Sequence, residues 1–185
     1  MKLEKIKEIL GEEFSLNAGF IFEVIDSLKL KKDAKILDIG TGRGVMAINL
    51  ALKGYYVITG EPEGDNWADW RSSAQKVGVE ELITFKYFKA EKLPFNKAEF
   101  DAIFIYNAFH HIKDKVNALK ECIRVVKKEG KIIILEYTPE GIREVRKRHP
   151  SHQDAADPRD YVKGLPLTEE IIEQGSINAY IYKKK

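Results

Sequence analysis

From Lys35 onward, short apolar runs alternate with stretches in which apolar residues recur every three or four positions. The short runs, at 36–39, 55–59, 83–88, 102–106 and 132–137, are rich in β-branched and aromatic residues and predict strands. The stretches between them, 45–52, 67–77 and 116–126, carry apolar residues at helical spacing. A strand–helix–strand series of this kind predicts a parallel sheet covered by helices on both faces.

Ahead of the first strand, Leu3, Ile6, Ile9 and Leu10, then Phe20, Ile21, Val24, Ile25 and Leu28, predict two amphipathic helices within 1–33. Beyond Tyr137 the rhythm fails. Residues 143–158 are polar and hold two prolines, which predicts a helix followed by a loop. Residues 168–174 read as a helix, with Thr168 as its N-cap and Glu169 and Glu170 in its first turn, and 177–182 as a last strand. No repeat or low-complexity linker marks a boundary. The expectation is one domain over 1–185: N-terminal helices at 1–33, a core at 35–137 and a C-terminal segment at 138–185.

Composition narrows this picture. A chain of 185 residues with 44% hydrophobic residues can bury a sizeable core. Its 31 basic and 29 acidic residues leave a net charge of +2, so no global nucleic-acid footprint is present and any basic patch is local. The single cysteine, Cys122, lies among Leu119, Ile123 and Val126 and reads as a core thiol. One cysteine forms no internal disulfide, in keeping with a reducing compartment. Apolar runs are only strand-sized and the N-terminus alternates charges with single apolar residues, so neither a signal peptide nor a membrane span is expected, and the cytoplasm is the expected location.

Candidate chemistry begins where Ile36 to Ile39 runs into Gly40-Thr41-Gly42-Arg43-Gly44 and the next helix. Glycines at a strand's C-terminal edge let backbone turn tightly and let a ligand approach closely. The dinucleotide fingerprint wants its third glycine at 45, where this chain has Val45, and no lysine followed by Ser or Thr supplies a triphosphate loop. The second strand leads to Glu61, twenty-one residues after Gly40. An acid there can accept both hydroxyls of a ribose.

In these segments the chain resembles the class I S-adenosylmethionine-dependent methyltransferases, especially the small-molecule group typified by ubiquinone and menaquinone C-methyltransferases. The resemblance covers about 35–137. It implies that Asp38, Gly40, Thr41, Gly42 and Gly44 surround the methionine part of S-adenosylmethionine, that Glu61 holds the ribose, and that Pro62 packs on adenine. Ala90-Glu91-Lys92-Leu93-Pro94-Phe95 is similar to the family's adenine-edge stretch, which places Ala90 and Glu91 at the cofactor. The run from Phe100 through Asn107 to His110 and His111 is similar to the substrate-facing turn beyond the fourth strand. The implied fold is α/β, a Rossmann-like three-layer sandwich with a mostly parallel sheet and an antiparallel C-terminal strand. Two departures stand out. Lys89 occupies the place of a usual aspartate, and the family's C-terminal hairpin reads as abbreviated, its missing wall absent or borrowed from a second subunit.

The implied activity is methyl transfer to a small molecule. A sulfonium donor is already activated, so alignment carries most of the catalysis and no metal is expected. His110 and His111 are the candidates for a general base where the acceptor needs one. Asn107 can touch the cofactor or the acceptor. Glu136 and Tyr137 end the fifth strand, in a strand-end role or against substrate. Trp67 and Trp70 share a helix face and either pack or cover a ring. Arg143, Arg146, Lys147, Arg148, His149 and His152 form either a solvated helix face or an anion-docking cluster. A cofactor-binding module without catalysis, and an RNA or protein methyltransferase, are the alternatives.

Overall fold

The computed structural model describes residues 3–65 and 68–185. The chain groups into two compact units, Met1–Phe88 and Lys89–Lys185.

The first unit opens with three helices, α1 (Leu3–Leu10), α2 (Glu12–Ser15) and α3 (Ala18–Ser27), where two are expected. Gly11, with φ of 87°, breaks the first periodic stretch in a conformation the helix cannot include. There follow β1 (Ile36–Ile39), α4 (Val45–Leu52), β2 (Val57–Glu61), α5 (Trp70–Lys76) and β3 (Ile83–Tyr87). The three strands are parallel, in the order β3-β2-β1, and every residue of β1 is buried. Where β2 and β3 meet, a Cβ on Gly60 would stand 2.0 Å from the Lys86 carbonyl oxygen and 2.5 Å from the Phe88 ring, so only glycine fits. Helix α5 starts later than the pattern suggests, because the Asp69 carboxylate caps it by accepting from the Ser72 N–H at 3.1 Å. Trp70 is buried and stacks on Phe85 with ring centroids 6.0 Å apart, which is packing. Its suggested helix partner Trp67 lies outside the described residues.

The second unit holds β4 (Phe100–Tyr106), α6 (Lys115–Val125), β5 (Val126–Tyr137), α7 (Pro139–Arg146), β6 (Leu167–Gln174) and β7 (Ile177–Lys184). Its strand order is β4-β5-β7-β6; β4 and β5 are parallel, and β7 is antiparallel to both β5 and β6. Cys122 is wholly buried on α6, as a core thiol should be.

One expected element is overturned. Residues 168–174 form strand β6, not a helix capped by Thr168. The tight turn at Gly175 and Ser176, with Gly175 at φ 58°, sets Gln174 opposite Ile177 and zips the segment along β7 for its full length. A ladder of eight residues, with β-branched Thr168, Ile171 and Ile172 in it, outweighs one cap. The C-terminal hairpin is therefore complete, with eight residues in each strand, and not abbreviated. The polar stretch after β5 is helical from Pro139 to Arg146, with Thr138 as its cap through the Gly141 N–H. No helix among the described residues is long and apolar enough to cross a membrane.

Candidate active site

In the first unit, Asp38, Thr41, Thr59 and Glu61 converge on the glycine loop. Asp38 is completely buried, and its Oδ2 accepts from the Thr59 hydroxyl at 2.7 Å. Thr59 Oγ1 lies 2.9 Å from the Thr41 hydroxyl. Because the single Thr59 proton points at Asp38, the Thr41 hydroxyl donates to Thr59, and the chain ties the loop to β1 and β2. Burial pushes the Asp38 carboxyl up to about 7; the Thr59 hydrogen bond opposes this, and nearby Glu61 adds to it.

Glu61 is also buried, and its Oε2 accepts the Gly42 N–H at 3.4 Å. Burial holds its pKa above the ordinary glutamate value, eased by the Gly42 bond and reinforced by Asp65. Gly40, Gly42 and Gly44 have φ of 93°, 49° and 79°, the left-handed region that other residues avoid. Two acceptor atoms remain over: Asp38 Oδ1 and Glu61 Oε1 are buried without a hydrogen-bond partner. A buried orphan acceptor costs about 1–3 kcal/mol, and two on neighbouring strands beside the glycine loop point to donors that a ligand supplies. Arg43 borders a cavity of about 400 Å³ that is also lined by Leu10, Phe14 and Asp69. Pro62 follows Glu61 and is half-buried.

In the second unit, Ala90 is buried and Glu91 has a structural use. Glu91 Oε1 accepts the Asp114 N–H at 3.3 Å, and the Glu91 carbonyl accepts from the Asn117 amide at 2.8 Å. These bonds fasten the 90–95 stretch to the start of α6. Asn107 stands at φ 46°, its N–H donating to the Leu135 carbonyl at 2.9 Å, while its buried Oδ1 has no partner. A left-handed non-glycine residue at a strand end is a common mark of a functional turn.

His110 and His111 follow on a single 3₁₀ turn, and they differ. The His110 ring is 1% exposed; its Nδ1 lies 3.0 Å from both oxygens of Glu136, itself 1% exposed. Glu136 also accepts the backbone N–H groups of His110 and Tyr137, so its strand-end place serves to fix His110. His110 Nε2 is buried and unpartnered. His111 is exposed, and its pKa is held below the ordinary histidine value by partial burial first, then by the neighbouring rings of His110 and His152. His152, which the sequence groups with the basic stretch, joins them: ring centroids lie 5.1 Å from His110 and 6.2 Å from His111. Of the cations around it, the Arg146 guanidinium donates to the His152 carbonyl and to Asp154, and Lys147 pairs with Glu144.

Residues 37–134 match the family model described as "Methyltransferase domain". The chain belongs to the methyltransferase domain family. The match takes in Asp38, the glycine loop, Glu61, Asn107, His110 and His111, and leaves out Glu136 and His152. Among curated relatives, the 27-O-demethylrifamycin SV methyltransferase of Amycolatopsis mediterranei is 28% identical over 65% of this chain and 48% of its own length. The demethylmenaquinone methyltransferase of Thermotoga maritima is 30% identical over 75% of this chain and 58% of its own. The chain thus spans about half the length of these relatives. A solved structure described as a SAM dependent methyltransferase from Aquifex aeolicus superposes with a TM-score of 0.69 at 18% identity, covering 98% of this chain and 97% of that one. The fold is accordingly Rossmann-like α/β with a mostly parallel sheet and one antiparallel hairpin.

Proposed function

We propose that this methyltransferase domain binds S-adenosylmethionine and transfers its methyl group to a small-molecule acceptor. The observation that carries the reading is the pair of unpartnered carboxylate oxygens, Asp38 Oδ1 on β1 and Glu61 Oε1 at the end of β2, beside the glycine loop. The cofactor fits these groups, because it brings an ammonium for Asp38 and ribose hydroxyls for Glu61.

Gly40, Thr41, Gly42 and Gly44 supply backbone that approaches the ligand closely, and Pro62 gives an apolar surface beside the ribose acid. The family resemblance also implies cofactor contacts from Ala90, Glu91 and Asn107. The donor, when bound, brings a methyl group on sulfonium, activated for displacement. His110 and His111 are the groups that would take an acceptor's proton where the reaction needs it, and since Glu136 occupies His110 Nδ1, the available atom of that ring is Nε2. The small-molecule relatives support the acceptor class, and the internal pairing of Arg146 and Lys147 favours it over RNA docking. The family match runs from β1 in the first unit to β5 in the second, which supports reading 1–185 as one functional domain.

The test is the melting temperature of purified protein with and without saturating S-adenosylmethionine. A rise of several degrees is expected, since a ligand at a hundred times its Kd adds about 2.7 kcal/mol; no shift overturns the reading. Labelled methyl should then pass into a fractionated metabolite extract. Binding without any transfer would leave a cofactor-binding module instead.

A further inference from the structure

We propose that His110, His111 and His152 form a binding site for one divalent transition-metal ion, best matched by Zn²⁺, with Glu136 orienting His110 from behind. Each of the three side chains offers one ligating nitrogen, and these atoms all lie within 4.8 Å of one another. Zinc–imidazole bonds of about 2.0–2.1 Å in tetrahedral geometry place such nitrogens about 3.4 Å apart. The remaining closure falls to His111, which is exposed, and His152, which is half-buried, so both rings can turn. His110 is the fixed member.

Two of the three rings are already prepared as ligands. Metal-bound histidine characteristically gives its other ring nitrogen to a carboxylate or carbonyl oxygen, which fixes tautomer and orientation. His110 Nδ1 lies on the Glu136 carboxylate at 3.0 Å, and His152 Nδ1 lies on the Gln153 carbonyl at 2.9 Å. A carbonyl accepts only, so His152 Nδ1 carries the proton, and in the neutral ring Nε2 is the nitrogen that can bind a metal. His110 Nε2 is buried and finds no partner within the chain.

The donor set selects the ion. Imidazoles suit Zn²⁺ and its neighbours, whereas Mg²⁺ and Ca²⁺ require oxygen cages. No fourth protein ligand joins the three among the described residues, so a water or an oxygen or sulfur of a ligand takes the remaining position. The site stands on its own geometry, independent of the cofactor reading, and an ion there would occupy the His110 Nε2 that proton transfer to an acceptor would otherwise use.

The test uses the full chain without a histidine tag, freed of metal by chelation. Calorimetric titration with Zn²⁺ should give one ion per chain, and Co²⁺ should develop the intense visible bands of a tetrahedral nitrogen site. His111→Ala and His152→Ala, both away from the core, should each weaken Zn²⁺ binding more than a hundredfold, and Glu136→Gln about ten- to a hundredfold. His149→Ala, on the remaining histidine, should change nothing. Absence of saturable binding, or unchanged affinity in the folded His111→Ala/His152→Ala double variant, overturns the proposal. Sensitivity to His149→Ala in place of His152→Ala overturns it equally.

Discussion

Asp38 and Thr59 face each other across β1 and β2, and the Thr59 hydroxyl donates to Asp38 Oδ2 at 2.7 Å while Oδ1 is left bare. One hydrogen bond does not offset burial, so the folded carboxyl titrates at about 7 against 3.8 when unfolded. A raised folded pKa means that the native state holds the proton more tightly. The associated stability is complete below pH 3.8 and is lost as pH rises through 7, by at most about 4 kcal/mol. In the ligand-free protein, Asp38→Asn should therefore raise the melting temperature at pH 8 relative to the parent chain. The gap should narrow as pH falls and close only below about pH 3.8, and a variant that gained nothing at pH 8 would contradict the account.

The same titration couples to binding. A cationic ligand prefers ionised Asp38, so affinity for S-adenosylmethionine should grow as pH rises toward 7, by up to about tenfold per pH unit, and level off above it. Calorimetry near pH 6 in two buffers of different ionisation heat should register release of close to one proton. Equal apparent heats would show that Asp38 does not meet the charge.

Glu61 Oε2 is spent on the Gly42 N–H, and Oε1 is free for a ligand. Glu61→Ala should weaken cofactor binding by about 1.5–3 kcal/mol, the scale of hydrogen bonds to a charged group, and Glu61→Gln by less. Equilibrium dialysis with labelled cofactor reads this directly; an unaltered Kd would remove Glu61 from the ribose.

His110 and Glu136 form a buried pair in which each is 1% exposed. Removing the imidazole strands a carboxylate, so His110→Ala should cost about 3–5 kcal/mol in urea unfolding at pH 7. Glu136→Gln keeps an oxygen for the His110 and Tyr137 N–H groups and should cost clearly less. Equal losses would mean that the pair acts through packing alone.

Gly60 carries a separate prediction about the frame. Gly60→Ala would press a methyl to 2.0 Å from the Lys86 carbonyl oxygen, a backbone atom that cannot swing aside. The expected cost lies at or above the roughly 3 kcal/mol upper end of ordinary overpacking, seen as a lowered urea midpoint. A neutral result would show that β2 and β3 can separate without loss.

The central strands and the glycine loop were legible because their signals are local: a buried β-branched run, three glycines and an acid at fixed offsets. Residues 168–174 misled for the complementary reason. Thr168, Glu169 and Glu170 form a genuine cap signal, but β7 is a partner that no window of seven residues contains. His152 escaped for the same reason. It stands forty-one residues beyond His111 in a charged stretch, and only the return of the chain after α7 brings its ring to His110. Four histidines, one of them an adjacent pair, were the one available hint.

Strand β6 ends its sheet with an open row of backbone donors and acceptors, the kind of edge on which another chain can add a strand. Glu169 and Glu173 on one face and Glu170 on the other are all exposed, so an approaching copy of the same edge would meet negative charge on both faces. The hairpin is self-repelling by design of its sequence, and the repulsion lasts only while those carboxylates are ionised. Replacing the three glutamates by glutamine should disarm it, turning this edge into the place where copies of the protein begin to associate.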